Sequence, residues 1–132
     1  MQFPYNQGIL LLSFDDRNFL GWENALPIFA QTDAHATFFV SGSIDAEAVA
    51  TMRRLCAEGH SVGLHGLTHA NADQAIAESS PEEYYQAEIL PQLEAARSAG
   101  LRITSFAYPN CRRNNVTDQL FFAHGFSYVR GG

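Results

Sequence analysis

The sequence has few cysteines, few basic residues and no long apolar run, and each shortage excludes a class of protein. Its two cysteines, Cys56 and Cys111, are too few for the disulfide framework of a small secreted domain, so we expect reduced thiols. The 8 basic residues against 14 acidic ones give a net charge of -6. Because nucleic-acid binding usually requires a basic surface, we predict no nucleic-acid partner.

The apolar segments are also too short to cross a membrane. The longest run near the N-terminus, residues 9–12, falls far below the roughly 20 residues that a membrane-spanning helix needs. No basic segment precedes this run, as it would in a secretion signal. We therefore expect no membrane span and a cytoplasmic location, or an extracytoplasmic one if a signal has been removed.

What the sequence does contain is a regular alternation of short apolar runs and helical patterns. At 132 residues and 46% hydrophobic, it has the size and composition of a single domain, residues 1–132. We predict strands at residues 8–14, 36–40, 61–64, 104–108 and 126–129. We predict helices at residues 22–30, 45–58, 80–99 and 116–124, with caps at Asp45 and Asn115 and an interruption at Pro91.

This alternation, which lacks hairpin turns, predicts an α/β fold with a parallel sheet covered by helices. The first strand is almost wholly apolar, which is typical of a strand buried on both faces. A closed eight-stranded barrel takes about 250 residues. About five strands therefore predict an open sheet or an incomplete (β/α) barrel.

Polar residues follow three of the predicted strands, at the ends where parallel (β/α) folds carry their functional groups. They are Asp15 and Asp16 after the first strand, His65 and His69 after the third, and Tyr108, Pro109 and Asn110 after the fourth. Because these strand ends meet at one rim, we expect the side chains to lie close together.

The two histidines and one carboxylate are a ligand set for a catalytic divalent metal ion. Gly63 and Gly66 beside His65 favour a loop, and Gly66 stands where a helical metalloprotease motif requires glutamate, so that motif is excluded. Two histidines with one carboxylate suit zinc, iron or another divalent ion with an open coordination position.

The adjacent aspartates are expected to have different roles. Neighbouring residues at a strand end point in opposite directions, so one binds the metal and the other faces the metal-bound water as general base. The alternative is that Asp15 and Asp16 only cap a turn before Arg17.

Residues 13–16, 36–40 and 59–69 together resemble the first half of a polysaccharide deacetylase, the NodB-homology family or carbohydrate esterase family 4. The resemblance implies a distorted (β/α) barrel and metal-dependent hydrolysis of an N-acetyl, sometimes O-acetyl, group on a glycan. It also implies that Asp15 is the general base and that Asp16, His65 and His69 bind the metal.

Residues 106–110 resemble a third motif of the family, which lines the groove and donates a backbone N–H to the oxyanion. Tyr108, Pro109 and Asn110 are therefore predicted to bind substrate. Two departures from the family pattern stand out. Gly66 replaces a serine or threonine that buttresses the histidine loop, and Ala107 replaces an arginine that orients the catalytic aspartate.

The family's later motifs, an Asp/Trp motif and a Leu-x-His motif with the general acid, do not occur in this sequence. We therefore expect the N-terminal half of the barrel. The implied cofactor is a divalent metal, zinc first, with cobalt, nickel or iron as alternatives, and the implied partner is an acetylated glycan or related amide. The rival hypotheses are a non-catalytic metal- or carbohydrate-binding module and a chain completed by a partner or a second copy over the open sheet edge.

Overall fold

The strands form one parallel sheet in which spatial order follows chain order. The computed structural model describes residues 8–131. In this range five strands lie in the order β1 (Leu12–Asp16), β2 (Ala36–Val40), β3 (Ser61–Leu64), β4 (Ser105–Ala107) and β5 (Tyr128–Arg130). Every neighbouring pair is parallel, and the sheet curls into a half-barrel. The predicted α/β fold with an incomplete (β/α) barrel is confirmed.

Helices connect the strands and cover the outer face of the sheet. They are α1 (Phe19–Thr32), α2 (Ala46–Ala57), α3 (Ala72–Glu78), α4 (Pro81–Tyr84), α5 (Leu90–Ser98) and α6 (Asn115–Ala123). A π-helical turn, Tyr85–Ile89, joins α4 to α5, and a 3₁₀ turn, Pro109–Cys111, follows β4. None of the helices in the described part of the chain is both long and apolar enough to cross a membrane.

Aromatic residues on the outward-facing strand positions form the centre of the core. Phe38 on β2 contacts Trp22 of α1, with ring centroids 5.1 Å apart. Phe106 on β4 stacks on Phe121 of α6 at 4.2 Å. Burial of such large side chains between helices and sheet stabilises the fold and fixes the direction in which each strand end points.

Several local predictions were wrong. Strand β5 starts at Tyr128 rather than at residue 126, and helix α3 was not predicted. Strand β1 starts at Leu12 rather than at Gly8 and includes both aspartates. It is an edge strand with an open inner side, and Leu10 and Leu11 just before it are each 80% exposed, so it is not buried on both faces. Helix α6 is capped by Asn114, whose side chain accepts hydrogen bonds from the N–H groups of Val116 and Thr117, and not by Asn115.

Candidate metal and catalytic site

Asp16, His65 and His69 converge at the C-terminal rim of the sheet. The Nε2 atoms of the two histidines are 3.1 Å apart, and Asp16 Oδ1 lies 3.6 Å from that of His65 and 3.5 Å from that of His69. Three potential ligand atoms thus lie within 4.8 Å of one another, and such a group of three occurs once among residues 8–131. The sequence had predicted this combination of side chains.

His65 is held in the tautomer that a metal ligand needs. Its Nδ1 lies 2.7 Å from the carbonyl oxygen of Ala107 on β4. Because a carbonyl oxygen only accepts, Nδ1 carries the hydrogen and Nε2 presents its lone pair to Asp16 and His69. Burial lowers the pKa of His65, which also favours the neutral imidazole.

Two of the three ligand candidates have a left-handed backbone, which non-glycine residues seldom adopt. The φ angle is 81° at Asp16 and 60° at His69. The turn at Asp16 overrides the strand alternation, so the expected opposite directions of the two aspartates do not occur. Asp15 Oδ2 and Asp16 Oδ1 both lie within 3.9 Å of His65 Nε2. Rare backbone conformations of this kind tend to occur at functional sites.

Asp15 is bound by an arginine that the sequence analysis did not identify. Arg130, the last residue of β5, donates from Nη2 to Asp15 Oδ2 at 2.5 Å, across the concave side of the sheet. Its guanidinium carbon lies 5.4 Å from the ring centroid of Phe39. Asp15 Oδ1 is buried and has no hydrogen-bond partner among residues 8–131. The sequence offered one indication of such a residue: Ala107 stands where the family pattern has an arginine that orients the catalytic aspartate. An arginine elsewhere in the chain could therefore have been expected to take that role.

The residues of the third motif lie at the same rim but differ in exposure. Tyr108 is 1% exposed, its hydroxyl donates to Asp118, and its backbone N–H donates to the carbonyl oxygen of Arg130. Pro109 is buried, whereas Asn110 is exposed and its amide donates to Asn71. Substrate binding by these three residues stays a prediction, and Asn110 is the one whose side chain is accessible.

Parallel (β/α) units with acidic and histidine side chains at the strand ends define a class of fold with one functional rim. Within that class, the family model described as polysaccharide deacetylase matches residues 4–129. The chain therefore belongs to the polysaccharide deacetylase family.

Three known proteins show the extent of the similarity. The chitin deacetylase of Colletotrichum lindemuthianum is 35% identical over 105 residues, which cover 76% of this chain and 39% of that protein. The chitooligosaccharide deacetylase of Bradyrhizobium is 36% identical over 89 residues, 67% of this chain and 38% of that one. The solved peptidoglycan deacetylase PdaC of Bacillus subtilis superposes with a TM-score of 0.72 at 26% identity, over 95% of this chain and 58% of its own. The chain thus spans less than half the length of these two curated relatives.

Proposed function

We propose that this chain binds a divalent metal ion and activates a water molecule for the hydrolysis of N-acetyl groups on a glycan. The observation that carries the proposal is the convergence of Asp16, His65 and His69 beside Asp15. Membership of the polysaccharide deacetylase family supports the reaction, and relatives named for chitin, chitooligosaccharide and peptidoglycan support the substrate class.

The ligand candidates fit zinc in both chemistry and spacing. Zinc binds imidazole nitrogen and carboxylate oxygen at about 2.0–2.2 Å in a tetrahedral arrangement, which separates the ligand atoms by about 3.3–3.6 Å. The two separations from Asp16 Oδ1, 3.5 and 3.6 Å, lie in this range, and the separation of the two Nε2 atoms, 3.1 Å, lies about 0.2 Å below it. Cobalt, nickel and iron accept the same donors, and a binding series decides between them.

In the proposed reaction the metal and the protein have separate tasks. Asp16, His65 and His69 would hold a divalent ion, which would supply polarisation of the acetyl carbonyl and a lower pKa for the attacking water. Asp15 takes the proton from that water as general base. Asp15 Oδ2 faces the ligand group, 3.9 Å from His65 Nε2, and Arg130 holds it there by donating to the same oxygen, so Oδ2 is the atom that receives the proton. The water oxygen bonds to the acetyl carbon, the amide C–N bond breaks, and the sugar nitrogen takes the proton from Asp15, so that acetate and a free amine are the products.

The test combines metal binding with acetate release. We expect the chain to bind about one zinc or cobalt ion and to release acetate from a chitin oligomer. Asp15→Asn is expected to retain the ion and lose about 10²–10⁴-fold in rate, which is the usual contribution of a general base. His69→Ala is expected to lose both the activity and the bound ion. A wild-type chain that binds no metal under these conditions contradicts the proposal.

A second candidate function is a metal- or carbohydrate-binding module without catalysis. It is favoured by the state of the proposed base, because one carboxylate oxygen of Asp15 is buried and the other is bound by Arg130. Under this alternative the wild-type chain binds the metal and a chitin oligomer but releases no acetate. The same experiment therefore separates the two functions.

A further inference from the structure

The loop that carries both histidines, residues 65–69, is held by two buried side chains from the helical segment that follows it. These are Glu88, in the π-helical turn, and Gln92, on α5, and they are 7% and 0% exposed. We propose that Glu88 and Gln92 are positioning residues that set the geometry of His65 and His69 for metal binding. The inference rests on the proposed metal site.

Glu88 binds the residues immediately before His69. Its Oε2 accepts from the backbone N–H of Thr68 at 2.9 Å, and its Oε1 accepts from the Thr68 hydroxyl at 2.6 Å. Its carbonyl oxygen accepts from the N–H of Leu67 at 3.0 Å. The side chain of His69 is 38% exposed and has a left-handed backbone, so the hydrogen bonds to Thr68 are a main restraint on where His69 points.

Gln92 binds the residue immediately after His65. Its Oε1 accepts from the N–H of Gly66 at 3.1 Å. Its Nε2 donates to the carbonyl oxygens of Val40 and Gly42 at 3.1 and 2.6 Å. The amide therefore joins the start of the histidine loop to the end of β2, and all of its hydrogen-bonding groups are used on backbone atoms.

The helical segment places both side chains on one face. Residues four apart in a helix lie on the same side, so Glu88 and Gln92 both face the loop. Pro91 lacks the N–H that an uninterrupted α-helix would use at this point, and the π-helical turn Tyr85–Ile89 precedes it. Such turns are frequent at functional sites. Burial of a carboxylate and an amide is costly unless they are hydrogen-bonded, and here both are.

Gly66 fits this interpretation. Its φ is +89°, and a Cβ at this position would lie 3.3 Å from Glu88 Oε2. A serine or threonine here would be strained and would crowd that carboxylate. The buttress that the family resemblance places at position 66 is thus supplied from outside the loop, by Glu88 and Gln92.

The test measures metal affinity, which does not depend on catalysis. Zinc or cobalt is titrated into the wild-type chain and into Glu88→Ala, and the cobalt absorption spectrum reports the coordination geometry. Loss of a group that orients a metal ligand usually costs about 10–100-fold in affinity, and we expect that loss with an altered spectrum for Glu88→Ala. Thr68→Val removes one of the two Thr68 donors and is expected to give a smaller loss.

Two control variants separate positioning from other effects. Glu94→Ala removes an exposed carboxylate from α5 and is expected to bind as the wild type does. Leu93→Ala removes a buried side chain next to Gln92 and destabilises the same helix without touching the loop's hydrogen bonds. If Glu88→Ala does not fold, Glu88→Gln takes its place, with an intermediate loss expected because one acceptor oxygen remains.

The outcomes are distinct. Wild-type affinity and an unchanged spectrum in the Glu88 variant overturn the positioning role and leave the proposed metal site intact. An equal loss in Leu93→Ala also overturns it, because general destabilisation would then explain the effect. No metal binding by the wild-type chain overturns the proposed function itself.

Discussion

Arg130 and Asp15 form the contact on which the proposed chemistry most depends. The two residues are 115 positions apart, and their side chains meet on the concave side of the half-barrel. Arg130 Nη2 donates one charge-assisted hydrogen bond to Asp15 Oδ2, while Arg130 Nε and Asp15 Oδ1 have no hydrogen-bond partner among residues 8–131. With Oδ2 of Asp15 engaged, strand β5 sets the orientation of the proposed base relative to the three candidate ligands.

We expect Arg130→Ala to lower kcat for acetate release by about 10-fold or more, as a part of the roughly 10²–10⁴-fold that a general base contributes. The KM is expected to change little, because Arg130 acts on Asp15 and not on the substrate. Arg130→Lys should restore part of kcat. The control is Arg112→Ala, which removes a surface arginine paired with Asp73. An unchanged kcat in Arg130→Ala would contradict the role.

Strand β3 carries a glycine, Gly63, at a position where the inner face of the sheet has no space for a side chain. Gly63 lies beside Phe39 of the neighbouring strand. A Cβ on Gly63 would come within 2.5 Å of Ser105 Oγ and 2.7 Å of the Phe39 ring. Because Gly63 has no side chain, the ring of Phe39 can lie under the guanidinium of Arg130. Packing inside the half-barrel therefore connects β2, β3 and β5 to the site.

Gly63→Ala is expected to lower the free energy of unfolding by about 1–3 kcal/mol, the usual cost of overpacking a filled interior. Denaturant unfolding of the chain measures the change. The matched control is Gly8→Ala, since nothing lies within 4 Å of the position that its Cβ would occupy. A Gly63→Ala chain within about 0.5 kcal/mol of the wild type, the usual range for a surface substitution, would contradict this packing argument.

Over residues 8–131 the sheet is curved and its inner side is open. A concave cavity of about 370 Å³ is lined by residues from all of the strands except β4 and by the apolar segment before β1. Leu10 and Leu11 are each 80% exposed at this end. Unpaired strand edges and exposed apolar side chains favour association. A second copy of the chain as the cover of this edge stays a prediction.

Sedimentation velocity over a range of concentrations tests that prediction. We expect the wild-type chain to form dimers or larger species, and Leu11→Lys to weaken this association by about 10-fold or more. The reason is that a lysine at the exposed edge opposes burial against another copy. Ile28→Lys is the control, because it changes a 63%-exposed residue on the outer helix α1. A monomer at every concentration would exclude self-association.

Much of the fold was predictable because its signals are local. Strands β2 and β3 have the predicted bounds, and helix α2 starts at its predicted cap, Asp45. Periodicity and capping act over a few residues, so they can be read along the chain. The limits of β1 were missed because the apolar run before Leu12 is exposed and outside the strand, whereas Leu12 and Phe14 pack toward the core and helix α1.

The candidate site was also predictable from the sequence only in part. The types and spacing of Asp15, Asp16, His65 and His69 were enough to predict a metal centre at the strand ends, because parallel strands bring those ends together. The sequence contains no local signal for the left-handed turn at Asp16, for Arg130 on Asp15, or for Glu88 on the histidine loop. These features depend on how the sheet curls and how the helices pack against it, and only the tertiary structure brings such distant residues into contact.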